Sequence, residues 1–180
     1  VQGEQSKAPD VTFFETLIDE IGKRYHDADM DKVSLIGSSN GAAYSYRLLI
    51  EVDEDLFRTA VPQVSSLMES QFHDESCWKS RDESDTDNLD TKADPRKNGR
   101  RILYIHGTDD GTVSFEGGLR FGKYPHHSAY ETANIWARHF GYRGDGQAPE
   151  DGQRIGDHLV RHDFAGTEFS FVAVEGGNHG

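Results

Sequence analysis

Cysteine is almost missing from these 180 residues: Cys77 stands alone, so no disulfide can close within the chain. That leaves a plain free thiol, or a partner cysteine on sequence outside these residues. Basic side chains are also scarce, with 19 Lys and Arg against 32 Asp and Glu and a net charge of −13. Such a balance repels the phosphates that a nucleic-acid binder must neutralise, which excludes nucleic acid as the expected partner. Long apolar runs are missing too. No window approaches the roughly 18 consecutive apolar residues of a membrane span, and the opening VQGEQSKAPD lacks a signal-peptide pattern, so a soluble chain is expected. There is no internal repeat and no low-complexity tract, and the length suits a single domain over residues 1–180. Nothing in the sequence fixes an oligomeric state.

What is present alternates between two periodicities. Over residues 12–25, Phe14, Leu17, Ile18, Ile21 and Tyr25 recur at helical spacing, predicting an amphipathic helix that buries this face. Thr12 and Glu15 have capping-box spacing, with Asp10 as a competing cap. Val33-Ser34-Leu35-Ile36 reads as a strand that stops at Gly37, and a second helix follows to about Glu51. Residues 59–64 and 101–105 read as further strands of an inner sheet. Residues 128–140 read as a helix ending at Gly141, and residues 158–162 and 168–174 as two strands joined near Gly166. Between the inner strands, residues 69–94 carry nine acidic side chains against Lys79, Arg81 and Lys92, the pattern of an exposed acidic insertion. Strands alternating with helices imply an α/β fold with a mostly parallel sheet flanked by helices.

The chemistry concentrates at three places. Gly37-Ser38-Ser39-Asn40-Gly41 matches G-x-S-x-G, with Ser39 at its centre between a predicted strand and a predicted helix. The glycines allow a turn tight enough to lift the hydroxyl above the sheet, because a side chain at either would collide with neighbouring backbone. The unpaired N–H of Asn40, at the helix start, is the candidate oxyanion donor. A serine needs a base to take its proton, and the base needs an acid to orient it. In this arrangement they follow in the order serine, acid, histidine. Asp109 and Asp110 follow the RILYIHGT strand, and His179 follows the last strand and a Gly-Gly pair. The pair His126 and His127 offers no metal site, since adjacent residues cannot easily share one ion and no ligand lies at suitable spacing. Neither a metal nor a cofactor is expected.

At these residues the chain resembles the secreted α/β-hydrolase esterases that include poly(3-hydroxybutyrate) depolymerases and feruloyl or acetylxylan esterases. Ser39-Asn40-Gly41 is similar to their S-N-G elbow. His106-Gly107-Thr108-Asp109-Asp110, with Val113 and Gly117-Gly118, resembles their H-G-T-x-D-x-x-V segment and following G-G. Glu175-Gly176-Gly177-Asn178-His179 resembles their terminal E-G-G-G-H. The resemblance implies that Asp110 is the acid rather than Asp109, that His179 is the base, and that an ester is the substrate. It also implies a secreted or periplasmic enzyme, a C-terminal part of the hydrolase fold with the first strands and the second oxyanion donor upstream of Val1, and an open sheet edge where those strands belong. Ser114 and Phe115 stand where the family has proline and tyrosine, and the family's cysteines around Gly141-Tyr142 are missing. A peptidase or dienelactone-type hydrolase of the same fold, and a catalytically silent binding protein, are the alternatives.

Overall fold

A computed structural model describes residues 9–52, 55–79, 91–95, 99–146 and 151–180. The chain enters through helix α1 (Asp10–Arg24), passes strand β1 (Ser34–Ser38) into helix α2 (Asn40–Glu51), and returns as β2 (Thr59–Gln63). Three short strands follow, β3 (Phe72–His73), β4 (Ser76–Trp78) and β5 (Lys92–Ala93), then the long β6 (Arg101–Gly107). A hairpin of β7 (Gly118–Arg120) and β8 (Tyr124–His126) leads into helix α3 (Ala129–His139). The chain ends through β9 (Gln153–Arg154), β10 (Leu159–Asp163) and β11 (Phe169–Val174).

Six of these strands form one sheet in the order β1-β2-β6-β11-β10-β9. The first four neighbours run parallel, and β10 and β9 close the far side antiparallel. The protein is thus mixed α/β with a mainly parallel sheet flanked by helices, and β1 lies at one edge of that sheet. Parallel strands point their carboxyl ends the same way, so the loops leaving β1, β6 and β11 emerge on one rim.

The sheet's inner positions alternate as a period of two requires. On β6, Ile102, Tyr104 and His106 are buried and share a face. Tyr104 stacks on Phe171 of β11, with centroids 4.9 Å apart. Helices α2 and α3 meet in this core through Tyr46 and Trp136, stacked at 6.0 Å. A capping box of Ser128 and Glu131 starts α3, and Gly141 at φ 99° ends it.

Helix α1 departs from its sequence pattern. It begins at Asp10 behind Pro9 without any side-chain cap, so neither Thr12 nor Asp10 caps it. Only Phe14 is fully buried, while Leu17 is 42% and Tyr25 64% exposed. The buried Phe14 packs edge-on against Phe57, beyond the end of α2, and the rest of the apolar stripe is only partly covered.

The described flanks of the acidic segment form a three-stranded sheet, β3-β4-β5, that buries Gln71 and Cys77. The pairs Phe72 with Cys77 and Cys77 with Ala93 hold it. Residues 80–90, the most acidic stretch, lie outside the described residues. No helix among the described residues is long and apolar enough to cross a membrane.

Candidate active site

Ser39 sits between the last residue of β1 and the first of α2 with φ 55° and ψ −114°. This is a backbone region that non-glycine residues seldom occupy and that costs on the order of 1–3 kcal/mol. The turn is held because Ser39 N–H donates to Gln63 O at 3.0 Å, while Ser39 O accepts from Ala42 and Ala43 N–H. A Cβ at Gly37 would stand 2.5 Å from both the Gly41 carbonyl carbon and Ser45 Oγ, so only glycine lets the strand end and the helix start approach this closely. Gly41 differs from expectation. A Cβ there would meet nothing within 4 Å, because its Cα faces open space beside the first helical turn. No side chain caps α2, which leaves its first N–H groups, Asn40's among them, without a capping partner.

The other two residues arrive on the same rim. Asp110 stands in the turn after β6 and His179 in the turn after β11. His179 Nδ1 lies 3.0 and 2.9 Å from the two Asp110 carboxylate oxygens. A carboxylate can only accept, so Nδ1 carries a proton, and in the neutral tautomer Nε2 is then the accepting nitrogen. Ser39 O–H donates to that nitrogen at 2.8 Å. Asp109, by contrast, is exposed and accepts only a local bond from Thr108 Oγ1.

Backbone hydrogen bonds tie the acid turn to the histidine turn. Asp109 N–H donates to Gly177 O at 2.9 Å, Thr108 N–H to Val174 O at 3.0 Å, and Gly176 N–H to Thr108 Oγ1 at 2.9 Å. Asn178 Oδ1 accepts from His179 N–H at 2.8 Å. Gly107 permits this approach, since a Cβ on it would run into the Gly177 peptide.

Behind Asp110 lies a buried polar chain that the sequence pattern did not assign. His106, fully buried, faces Asp110 Oδ2 at 3.2 Å and Val113 O at 3.0 Å through Nε2. Both partners accept, so Nε2 carries the proton and Nδ1 accepts from the Tyr104 hydroxyl at 2.6 Å. Tyr104 in turn accepts from Ser66 Oγ at 2.9 Å. Burial pushes the Tyr104 phenol up, against the hydrogen bond from Ser66, which keeps it a donor. Burial also holds the His106 ring below its ordinary range, against the pull of Val113 O and Asp110, so it stays neutral. Asp110 itself would be raised by burial. Bonds from His179, from Val113 N–H at 2.9 Å and from Thr112 N–H at 2.8 Å outweigh that, and its carboxyl titrates below the usual range. The clue to His106 was available: on β6 it follows Tyr104 by two, so both point to one face.

His126 and His127 each direct a ring nitrogen at a backbone carbonyl, of Tyr124 and Phe72 respectively. Among the described residues no group of three or more His, Cys, Asp or Glu could hold a metal ion. No protein-family profile matches the chain, and no curated protein sequence matches it. The chemistry of the site is therefore carried by its own geometry.

Proposed function

We propose that this chain is a serine ester hydrolase of the α/β-hydrolase type, with Ser39 as nucleophile, His179 as general base and Asp110 as the orienting acid. One observation carries the reading: a histidine whose Nδ1 lies 2.9 Å from a buried carboxylate and whose Nε2 lies 2.8 Å from a serine hydroxyl. The left-handed backbone at Ser39, sharply turned from strand to helix, supports it.

In the proposed reaction His179 Nε2 takes the Ser39 proton while Oγ attacks the ester carbonyl. The oxyanion lies against the Asn40 N–H at the start of α2. As the C–O bond breaks, His179 returns the proton to the leaving alcohol, and an acyl-serine remains. Water then enters and gives a proton to His179 as its oxygen attacks the acyl carbon; the acyl–Oγ bond breaks, His179 returns the proton to Ser39 Oγ, and the acid leaves. Asp110 stays ionised throughout and stabilises the imidazolium. No step calls for a cofactor.

The motif resemblance favours polyhydroxybutyrate, feruloyl or acetylxylan esters as the substrate class, and a secreted or periplasmic setting. The test is Ser39-directed fluorophosphonate labelling together with p-nitrophenyl butyrate hydrolysis, each with Ser39→Ala as control. Labelling and turnover that both disappear in Ser39→Ala are expected. Absence of Ser39-dependent labelling and turnover would overturn the reading in favour of a silent binding protein.

A further inference from the structure

Beside the nucleophile turn stands an arginine without a carboxylate. Arg120, the last residue of β7, reaches back to α2, where its Nη1 donates to Asn40 Oδ1 at 3.0 Å. The guanidinium lies over the exposed Phe121 ring, 5.0 Å from its centroid. Its Nε–H is buried and has no hydrogen-bond partner among the described residues. A guanidinium carries five N–H donors in a rigid fork suited to a carboxylate.

Among the described residues Arg138 and Arg143 also make no ion pair, but both are exposed, whereas Arg120 is partly buried. Arg100 is held by the carbonyls of Leu49 and Val52, and six others differ. Arg24, Arg47, Arg58, Arg101, Arg154 and Arg161 each lie within 4.0 Å of an Asp or Glu oxygen. Among the described residues Arg120 has no such partner, in a chain where acids outnumber bases 32 to 19. A cavity of about 170 Å³ adjoins it, walled on one side by residues 111–114, which continue the Asp110 turn, and on the other by residues 117–121 and His126. Its lining contains no acidic side chain, and the hydroxyl-bearing Thr112 and Ser114 contribute to it. That space is several times what a single water needs, so a small group such as a carboxylate fits it.

We infer that Arg120 and this cavity form a carboxylate subsite, so that the substrate is an ester bearing a carboxylate a few bonds from the scissile carbonyl. The inference rests on the esterase reading for its substrate, but the anion site itself does not. The net charge of −13 repels anions at long range, so any preference for an anionic ester has to come from a local cation such as this one.

Two measurements test it. First, glutarate is titrated into the Ser39→Ala chain by calorimetry, with neutral glutaramide as control, and again after adding Arg120→Met or Arg120→Gln. Gln ends near the position of Nε, two bonds short of Nη1, so both variants remove the charge and the Asn40 bond together. Asn40→Ala, which keeps the charge and removes the bond, separates the two and is expected to retain glutarate binding. Glutarate binding that weakens at least ten-fold in both Arg120 variants, with none for glutaramide, is expected. Second, kcat/KM is compared for mono-p-nitrophenyl glutarate, for a butyrate ester whose leaving alcohol carries the carboxylate, and for neutral p-nitrophenyl butyrate. The anionic-to-neutral ratio of at least one anionic ester is expected to fall at least ten-fold in Arg120→Gln, and which one responds tells which half of the substrate the subsite reads. Absence of glutarate binding, or equal loss on all three esters, would overturn the subsite and leave Arg120 as a staple between hairpin and helix. Glutarate binding without Ser39-dependent turnover would keep the subsite and sink the esterase.

Discussion

Replacing Gly107 by alanine is expected to disable the site while keeping every proposed catalytic side chain. The added Cβ would stand 2.5 Å from the Gly177 carbonyl carbon and 3.0 Å from its Cα, where ordinary contacts are 3.4–4 Å. Relief requires the two segments to part by about 1 Å. Gly107 is paired in register with Val174 at the end of the parallel β6–β11 ladder, so the strand has little freedom to retreat. The turn of residues 175–178 must move instead, and it carries His179. A displacement of about 1 Å away from Ser39 takes His179 Nε2 from 2.8 Å to beyond hydrogen-bond reach of Ser39 Oγ. Misplacement of that size costs on the order of 10²-fold in rate. The assay is the second-order rate of fluorophosphonate labelling, followed by intact mass, with a thermal melt to report folding. Gly156→Ala is the control, since its Cβ would meet nothing within 4 Å. Gly107→Ala is expected to melt cooperatively and to label roughly a hundredfold more slowly. Labelling at the wild-type rate would refute the claim that this backbone contact sets the position of His179.

Asp110→Asn is expected to lower kcat on p-nitrophenyl butyrate by about 10⁴, because an amide no longer fixes the His179 tautomer; a loss under tenfold would argue against an orienting role. Burial holds the His106, His126 and His162 rings below their ordinary range, so the unfolded chain binds more protons than the folded one once the pH drops under about 6.5, and stability falls there. His162→Phe, which keeps a ring stacked on Phe171, is expected to flatten the decline of Tm between pH 7 and pH 5. An unchanged slope would assign that decline to other groups. The Asp110 carboxyl acts lower, contributing stability above its unfolded pKa near 4 that is lost as the pH falls through its depressed folded value.

The parallel strands and the three chemical residues were legible because each has a local signature. A short apolar run ending in glycine marks a parallel strand, buried in β6 and β11 but largely exposed in the edge strand β1, and Gly37, Gly107 and the Gly176-Gly177 pair mark where these strands turn onto one rim. Once the strands are parallel, topology alone brings Ser39, Asp110 and His179 near one another. What the sequence hid is set by contacts between distant segments. The β7–β8 hairpin has no alternating apolar face, with Leu119 65% and Phe121 71% exposed, so periodicity gives it no signal. Arg120 acquires its meaning only by touching Asn40, eighty residues away. The acidic composition of residues 69–94 concealed Cys77, whose burial depends on pairing with Phe72 and Ala93 rather than on its neighbours in sequence.

Two histidines share one carboxylate in this site, and the difference in their surroundings decides what each can do. His106 is sealed, its Nδ1 occupied by the Tyr104 hydroxyl, so a second proton has neither water nor a free lone pair to receive it. His179 keeps 23% of its side chain exposed and turns its bare nitrogen to Ser39. Only His179 can become an imidazolium without an uncompensated buried charge. His106 serves the opposite purpose. By donating to Asp110 Oδ2 it adds to the backbone bonds of Thr112 and Val113, and a carboxylate with so many donors is a poor base. In the proposed reaction the proton leaving Ser39 would therefore stop on His179 and not pass on to Asp110. A fixed neutral histidine behind the acid is thus a means of keeping the acid an anion.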